Sequence, residues 1–419
     1  MEDRHLILIS LDGFSSDDFE YAKTLPNFRS LLLKGSYVLE GESIYPSLTY
    51  PAHASVVTGL YPSQHGVVNN TVLDKTSVNK DWLWYRNYIE ADTIYDAAKR
   101  KGLKTASILW PVSAGANIDY NLTEIWSTKK GENTALKLLK NSSKLYSLDL
   151  YFRFNKLRKG IEQPYLDDFV CESAAYTIKT KKPNLFMIHL IDLDTQKHIH
   201  GIKSKEVREA INRFDLRIES IVNALKEASI YENTTIVAFG DHSQMDARYK
   251  VRPNVMFKEK GLIKTYQNSV AQSKCYFYSC DGSGYVYVED ENVKSKVFNI
   301  LSEYKGKGVI ESIFEGDNPN KESANTSCTF MIEASKGYYF TDDLEGLIVE
   351  DMEKYIGVHG YSPLIDKYTS PIIFSGRGIK EGKVIKKGML VDIAGTVSKI
   401  LDININNESI GCINEVLDL

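Results

Sequence analysis

The segment that most constrains the fold is an uninterrupted apolar run near the start of the chain. It reads HLILISL, from His5 to Leu11, and Asp12 and Gly13 follow it directly. A strand with one face in water alternates apolar and polar residues, whereas a strand of a parallel sheet covered on both faces is apolar almost throughout. The run therefore predicts a parallel strand buried on both faces, with a carboxylate at its end.

The rest of the chain alternates similar strands with helices. Further apolar runs that predict strands are KTASILWP, NLFMIHLIDLD, TTIVAFGDH and PIIFSGRG. Segments with apolar residues at helical spacing are Pro26 to Lys34, the AHASVVTGL helix that starts at Pro51, TIYDAAKRKG, Leu166 to Lys181, Ser204 to Ala228 and LVDIAGTVSKIL. Strands that alternate with helices predict an α/β fold, with a mainly parallel sheet between two layers of helices.

This pattern is interrupted after about Lys264. Short aromatic strands such as CYFYSC and GYVYVED then surround one helix, Asn292 to Lys305. A chain of 419 residues is long for one compact core, so a smaller unit inserted in a larger domain is the better expectation. We expect residues 1–265 and 346–419 to form the main domain, and residues 266–345 to form a small inserted α+β subdomain.

Composition limits the classes of partner. The net charge is −4, and no cluster of Lys or Arg stands out along the chain, so neither a nucleic-acid polymer nor an anionic membrane surface is indicated. Five cysteines give neither a disulfide framework nor a CxxC zinc spacing.

No run approaches the roughly 18 apolar residues of a membrane span. The start, MEDRHLILISLDGF, lacks a secretory layout. The expected location is cytoplasmic as the sequence is written, or secreted or periplasmic if a signal peptide has been removed; oligomeric state is not indicated.

Several candidate functional side chains follow predicted strands or precede a helix, where open α/β sheets bind ligands. Asp12 could hold a metal ion or simply complete a turn. Thr49 is predicted two residues before the helix that starts at Pro51. The helix N–H groups there favour an alkoxide and a bound anion, and a plain N-cap is the alternative. Asn70 could donate an amide N–H to a phosphoryl oxygen, or it could be a turn residue.

The segment Asp194-Thr-Gln-Lys-His198 places an aspartate and a histidine four residues apart. The two can meet at one metal ion if the chain turns helically after the preceding strand. Asp192, on the same strand face as Asp194, is a rival ligand, and so is His200. The alternative interpretation is an ordinary polar loop.

Two more histidines lie beside glycine or aspartate. Asp241 and His242 follow the strand TTIVAF, and His359 lies between Gly357 and Gly360. The chain has only eight histidines, and three of them fall in such contexts. His53 and His65 are better explained by packing or hydrogen bonding. The candidate ligands form one oxygen-rich set, Asp12, Thr49, Asp241 and His242, and a second set, Asp194, His198 and His359. Carboxylate and imidazole without thiolate suit zinc, with manganese as the alternative.

Taken in order, the motifs LDG, TYPAH, TGLYPSQHG, D-x-x-x-H, GDH and HGY resemble those of the nucleotide pyrophosphatase/phosphodiesterase family, within the alkaline phosphatase superfamily. The resemblance runs from Ile7 to about Leu401, outside the predicted insert. It implies an alkaline-phosphatase-like three-layer sandwich whose main domain is catalytic. It also implies two Zn²⁺ per chain, one held by each of the two sets above.

The resemblance also implies roles for single residues. Thr49 would be the nucleophile that forms a phosphothreonine intermediate, and Asn70 would contact a non-bridging phosphoryl oxygen. Tyr50 would line the leaving-group pocket, with Trp126 or Tyr120 as a second stacking face. The chain departs from the family in having Lys197 rather than Gly immediately before His198.

The implied function is hydrolysis of a small-molecule phosphodiester, including nucleotides, or of a phosphoanhydride. A phosphomonoesterase and a phosphonoacetate-hydrolase-like C–P hydrolase are the alternatives within the superfamily. The sequence has no Arg between Arg29 and Arg86 to bind a dianion, which favours a monoanionic diester. A sulfatase would need Cys or Ser in place of Thr49. A non-catalytic metal-binding scaffold is the alternative from another class, but neither the nucleophile nor a candidate ligand is missing.

Overall fold

The computed structural model describes residues 4–77, 79–267, 269–315 and 327–419. The strands in these ranges are β1 (His5–Leu11), β2 (Gly35–Glu42), β3 (Thr105–Ile108), β4 (Tyr120–Leu122), β5 (Leu185–Leu190), β6 (Thr234–Phe239), β7 (Met245–Val251), β8 (Ile263–Tyr266), β9 (Ser269–Ser273), β10 (Cys275–Cys280), β11 (Ser283–Val288), β12 (Ile310–Glu315), β13 (Phe330–Ala334), β14 (Tyr338–Phe340), β15 (Val349–Val358), β16 (Ser370–Gly376) and β17 (Val384–Met389). The α-helices are α1 (Ser16–Ala22), α2 (Pro26–Leu33), α3 (Thr49–Thr58), α4 (Pro62–His65), α5 (Ile94–Arg100), α6 (Thr134–Asn141), α7 (Lys144–Phe154), α8 (Tyr165–Lys181), α9 (Asp192–His200), α10 (Lys205–Glu227), α11 (Pro253–Glu259), α12 (Lys294–Gly306) and α13 (Asp392–Leu401).

The largest sheet has eight strands in the order β17-β2-β16-β6-β1-β5-β3-β4. Strand β1 lies at its centre and pairs in parallel with both β5 and β6. Strand β3 continues the parallel arrangement between β5 and β4, whereas β16 runs antiparallel to both of its neighbours. The mainly parallel α/β sheet expected from the sequence is therefore confirmed.

Both faces of this sheet are covered, as the apolar run of β1 predicts. Leu6 and Leu8 face one core, which includes residues of α3, α5 and α13. Ile7, Ile9 and Leu11 face the opposite core, which includes residues of α8 and α10. All five side chains are fully buried, and burying an aliphatic side chain of this size contributes about 1.5–3 kcal/mol. Two helical layers on one sheet give the expected three-layer sandwich.

Two element boundaries near the site differ from the prediction. Helix α3 begins at Thr49 rather than at Pro51, because the first-turn N–H groups of a helix need no intrahelical partner and Pro is tolerated there. Strand β5 ends at Leu190, and the predicted strand residues Asp192 and Asp194 lie in the first turn of α9 instead. Acidic residues are stabilising at that end of a helix.

The segment after α11 forms sheets of its own. Strands β10, β11, β13 and β12 form an antiparallel sheet in that order, and α12 packs on β12. Strand β14 pairs with β7, which also pairs with β15. Both β7 and β15 lie outside residues 266–345, so the insert is tied to the main domain by backbone pairing. The boundaries predicted for the two domains stay a prediction.

None of the helices in the described ranges combines the length and apolarity that crossing a bilayer requires. The predicted cellular location stays a prediction.

Candidate metal centre and active site

The carboxyl ends of three neighbouring strands bring the predicted carboxylates together. Asp12 directly follows β1, Asp194 lies in the first turn of the helix after β5, and Asp241 lies two residues beyond β6. Because β1 is parallel to both neighbours, these ends meet at one edge of the sheet. All three side chains are buried, so their charges need compensation.

Thr49 lies beside this cluster as the first residue of α3. Leu48 occupies the cap position, and Thr49 is 8% exposed. Its Oγ1 lies 3.2 Å from His242 Nε2. The plain N-cap interpretation of Thr49 is therefore wrong, because its hydroxyl faces the histidine rather than capping the helix.

The first predicted ligand set converges on this same histidine nitrogen. His242 Nε2 lies 3.3 Å from Asp12 Oδ1 and 3.4 Å from Asp241 Oδ2, in addition to its contact with Thr49. The four side chains thus surround one point, although they come from three separate parts of the chain. A short approach of this kind among two carboxylates, an imidazole and a hydroxyl suits a divalent cation.

The second predicted set is adjacent. Asp194 Oδ2 lies 3.3 Å from His198 Nε2, one helical turn along α9. His359 joins them, and the ligand atoms of the three residues all lie within 4.8 Å of one another. The rings of His242 and His359 are 4.3 Å apart between centroids. A further group of Asp12, Asp194 and His242 meets the same distance limit, so the two sets adjoin.

Unpaired buried atoms support the fit to metal ions. Asp12 Oδ1, Asp241 Oδ2 and His359 Nδ1 are inaccessible to solvent and have no hydrogen-bond partner within the described residues. Burying a polar atom without a partner costs free energy, and coordination to a cation removes that cost. The residues present therefore fit the binding of metal ions.

The electrostatics of the cluster show how tightly its groups are coupled. Burial and the Asp194 carboxylate raise the pKa of Asp12 to about 6. Burial opposes protonation of His242, but Asp241 and Asp12 outweigh it and raise the pKa of His242 to about 9. Asp194 likewise raises the pKa of His198 to about 9 against the effect of burial. Ligation requires deprotonated imidazoles, so metal binding at neutral pH would release protons.

The two alternative ligands named from the sequence, Asp192 and His200, have other surroundings. Asp192 is bound by Arg213 Nε at 2.6 Å and by Arg217 Nη1 at 3.0 Å. His200 is exposed at the end of α9. His53 contacts the Thr49 carbonyl through Nδ1 at 2.7 Å, and the His65 ring lies 2.9 Å from Ser55 Oγ. The structure thus places His53 and His65 in packing and hydrogen-bonding positions.

Asn70 lies close to the start of α3. Its Oδ1 accepts a hydrogen bond of 2.9 Å from the backbone N–H of Tyr50. The acceptor of the amide is therefore occupied, which leaves the Nδ2 donors for another group beside Thr49. Asn69, the preceding residue, donates to the Ser279 carbonyl at 2.8 Å and so links this loop to the insert.

Of the three aromatic residues predicted to contact substrate, two lie in one cluster and the third lies elsewhere. Tyr50 packs on Trp82 at 5.1 Å between ring centroids, and Trp82 packs on Trp126 at the same distance. We call Tyr50, Trp82 and Trp126 the aromatic wall. Tyr120 is not part of it, because it lies on the edge strand β4 and packs on Tyr146 at 5.5 Å. Of the two candidates for a second stacking face, only Trp126 belongs to the same wall as Tyr50, with Trp82 between them.

Tyr50 itself is only 1% exposed, and its hydroxyl donates to Glu124 Oε2 at 3.0 Å. Burial raises the pKa of Glu124 to about 8. Neither Trp82 nor Glu124 was identified from the sequence, since each lies in a loop without a distinguishing motif.

Three other residues of the site were also missed. His189 Nε2 lies 3.4 Å from Asp12 Oδ2, and a histidine inside the apolar run LFMIHL was the one available signal. Gln244 donates to Asp194. Asp281 Oδ2, at the turn between β10 and β11, lies 3.7 Å from His359 Nδ1. Nothing in the sequence near Gln244 or Asp281 indicates these contacts.

Comparison with known proteins shows the family of the chain. The family profile for type I phosphodiesterase/nucleotide pyrophosphatase matches residues 6–362. Ectonucleotide pyrophosphatase/phosphodiesterase family member 1 of Homo sapiens is 26% identical over 253 residues, which cover 56% of this chain and 23% of that protein. Venom phosphodiesterase CdcPDE of Crotalus durissus collilineatus is 24% identical over 251 residues, which cover 58% of this chain and 26% of that protein. The chain thus matches about a quarter of the length of these curated relatives.

Solved structures show the same fold. Murine ectonucleotide pyrophosphatase/phosphodiesterase 5 superposes with a TM-score of 0.72 at 16% identity, over 99% of this chain and 100% of that chain. An inactive variant of the same murine protein, in complex with AMP, superposes with a TM-score of 0.71.

Proposed function

The chain belongs to the type I phosphodiesterase/nucleotide pyrophosphatase family, and we propose that it hydrolyses phosphodiester or phosphoanhydride bonds with Thr49 as the nucleophile. The observation that carries the proposal is the position of the Thr49 hydroxyl. It lies 3.2 Å from His242 Nε2, and this nitrogen also contacts the two carboxylates Asp12 and Asp241. A threonine in a purely structural role would not need this buried set of ligands around its oxygen.

We assign Asp12, Thr49, Asp241 and His242 to one metal ion, and Asp194, His198 and His359 to a second, with Zn²⁺ as the metal and Mn²⁺ as the alternative. When bound, such ions supply Lewis acidity, which lowers the pKa of an oxygen ligand and stabilises charge on phosphoryl oxygens.

The reaction then proceeds in two displacements at phosphorus. Thr49 Oγ1 gives up its proton and forms a bond to phosphorus while the bond to the leaving-group oxygen breaks. That proton passes through solvent to the leaving-group oxygen. A water molecule next attacks the phosphorus of the phosphothreonine. Its oxygen replaces Thr49 Oγ1 on phosphorus, and one of its protons restores the Thr49 hydroxyl. The Asn70 amide donors and the N–H groups at the start of α3 stabilise the equatorial oxygens.

The substrate we favour is a nucleotide or another diester with a flat leaving group. Trp82 and Trp126 are partly exposed members of the aromatic wall, and aromatic faces stack on bases. The AMP complex of the murine structural neighbour supports the same class. Tyr50 itself is buried, so the stacking surface belongs to the tryptophans.

The test is Thr49→Ala, with Thr49→Ser as the matched control that keeps a hydroxyl. We expect Thr49→Ala to lower kcat on a chromogenic nucleotide phosphodiester by roughly a thousandfold or more, while Thr49→Ser keeps measurable turnover. Both proteins should still bind zinc, as measured by elemental analysis. Hydrolysis by Thr49→Ala at the wild-type rate would show that Thr49 is not the nucleophile.

A substrate panel separates the remaining alternatives. Rates on nucleotide diesters, phosphocholine diesters, monoesters and phosphonates should be highest on a diester. A preference for monoesters or phosphonates would support the other members of the superfamily, and wild-type protein with neither zinc nor turnover would support a scaffold.

A further inference from the structure

Residues 129–161 carry a surface that the proposed chemistry does not use. This segment has nine Lys or Arg residues and two Asp or Glu residues, a net charge of +7 in a chain whose net charge is −4. It includes α6 and α7 and follows the edge strand β4. A local excess of positive charge therefore lies beside one edge of the central sheet.

The same segment exposes large apolar side chains. On α7, Leu145 is 85% exposed and Phe152 is 80% exposed. They are seven residues apart and so lie on one face of the helix. Tyr146 and Leu150 bury the opposite face. Ile161, beyond the end of α7, is 76% exposed. Two large apolar side chains exposed on one face of a helix, with a third soon after it in the chain, are typical of an interaction surface.

Exposed lysines accompany these apolar side chains. Lys144 precedes Leu145, and Lys156 and Lys159 lie between Phe152 and Ile161; all three are exposed. We define the α7 surface as Lys144, Leu145, Phe152, Lys156, Lys159 and Ile161. Arg153 contributes less charge to it, because its Nε donates to Asp149 Oδ1 at 2.7 Å.

We propose that the α7 surface binds the surface of membranes that contain anionic lipids. Apolar side chains beside basic ones are the composition of helices that lie in the plane of a bilayer interface. Leu145 and Phe152 would enter the boundary between headgroups and acyl chains, and the lysines would contact lipid phosphates. A nucleic acid would use the lysines but would leave Leu145 and Phe152 in water, so it fits the surface less well.

The helix before α7 contacts the aromatic wall through one intermediate ring. Lys137, on α6, places Nζ 4.2 Å from the centre of the Trp84 ring. Trp84 packs on Trp126 of the aromatic wall at 5.2 Å between centroids. The binding itself does not depend on the proposed catalytic function.

The test is co-sedimentation of the full chain with vesicles of phosphatidylcholine, with and without phosphatidylglycerol. We expect binding to the anionic vesicles that weakens as salt is added. Lys144→Gln with Lys156→Gln should weaken it by about 25-fold, at about fivefold for each basic residue near the surface. Leu145→Ser with Phe152→Ser should weaken it by at least about tenfold.

Matched control variants lie on β17, at the opposite edge of the central sheet. Val384 is 57% exposed, and Lys386 and Lys387 are exposed beside it. Val384→Ser and Lys386→Gln with Lys387→Gln should leave vesicle binding unchanged. Every variant should keep the wild-type circular dichroism and the wild-type rate on a soluble chromogenic diester.

Three results would overturn the proposal. The first is failure of the wild type to sediment with anionic vesicles. The second is equal loss of binding in the α7 and β17 variants. The third is self-association of the wild type that the α7 variants abolish, which would identify the surface as an interface between copies of this chain.

Discussion

Lys197 provides a sharp test of how the metal-binding helix is held in place. Its side chain is almost fully buried on α9, between the candidate ligands Asp194 and His198. Its Nζ donates to the Gly13 carbonyl at 2.7 Å and to Asp18 Oδ2 at 2.5 Å. The ammonium thus joins α9 to the loop that follows Asp12. At the position where the related family has Gly, this chain has a buried ion pair.

Lys197→Met keeps the length and apolar volume of the side chain but removes the charge. Removing one partner of a buried ion pair typically costs about 3–5 kcal/mol, because the other charge is left uncompensated. Asp18 keeps hydrogen bonds from the Ser15 N–H and hydroxyl, at 2.9 and 2.6 Å. We therefore expect the lower end of that range, a loss of about 3 kcal/mol in the free energy of unfolding.

The assay is urea unfolding of metal-free protein, followed by circular dichroism and tryptophan fluorescence. Lys205→Met is the control, because Lys205 is 83% exposed in its pair with Glu209 and should cost no more than about 0.5 kcal/mol. Lys197→Met combined with Asp18→Asn should cost less than the two single changes together, by about 2 kcal/mol. Equal destabilisation by Lys197→Met and Lys205→Met would refute the reasoning.

Two further predictions concern the edges of the site. Asp281→Asn removes the carboxylate that faces His359, and we expect it to weaken zinc binding by about tenfold or more. Zinc affinity is measured by competition with a chromogenic chelator, and Asp366→Asn, at an exposed position, is the control. Equal zinc affinities of the two variants would contradict this prediction. Glu124 beside Tyr50 has a pKa raised by burial to about 8, so the folded state binds its proton more tightly than the unfolded state and stability is lost as pH rises from about 5 to about 8. Across that pH range, the free energy of unfolding of the wild type should fall relative to that of Glu124→Gln, with a slope approaching about 1.4 kcal/mol per pH unit. If the unfolding free energies of the two proteins change with pH in parallel, the raised pKa of Glu124 is ruled out.

Some features of this protein were determined by the sequence alone. The run from His5 to Leu11 required a strand buried on both faces, because no face of it could be exposed without a large loss of apolar burial. Carboxylates placed after such strands meet at one edge, since parallel strands end together. For this reason the positions of Asp12 and Asp241 after two apolar runs were enough to group them. The four-residue spacing of Asp194 and His198 indicated a shared ligand position as soon as the segment was helical.

Other features depend on contacts between distant parts of the chain. The spacing in KLYSLDLYFRF does not say which face of α7 is covered, because apolar residues occur on both faces. Only packing against the main domain buries Tyr146 and leaves Leu145 exposed. The nine basic residues of that segment lie close together in the sequence, and the whole-chain charge of −4 conceals them. Asp281 reaches His359 through the fold of the insert. Periodicity and local motifs report on neighbours within a few residues. Which side chains are buried, and which distant side chains meet, depends on contacts between segments far apart in the chain, and only the tertiary structure decided these.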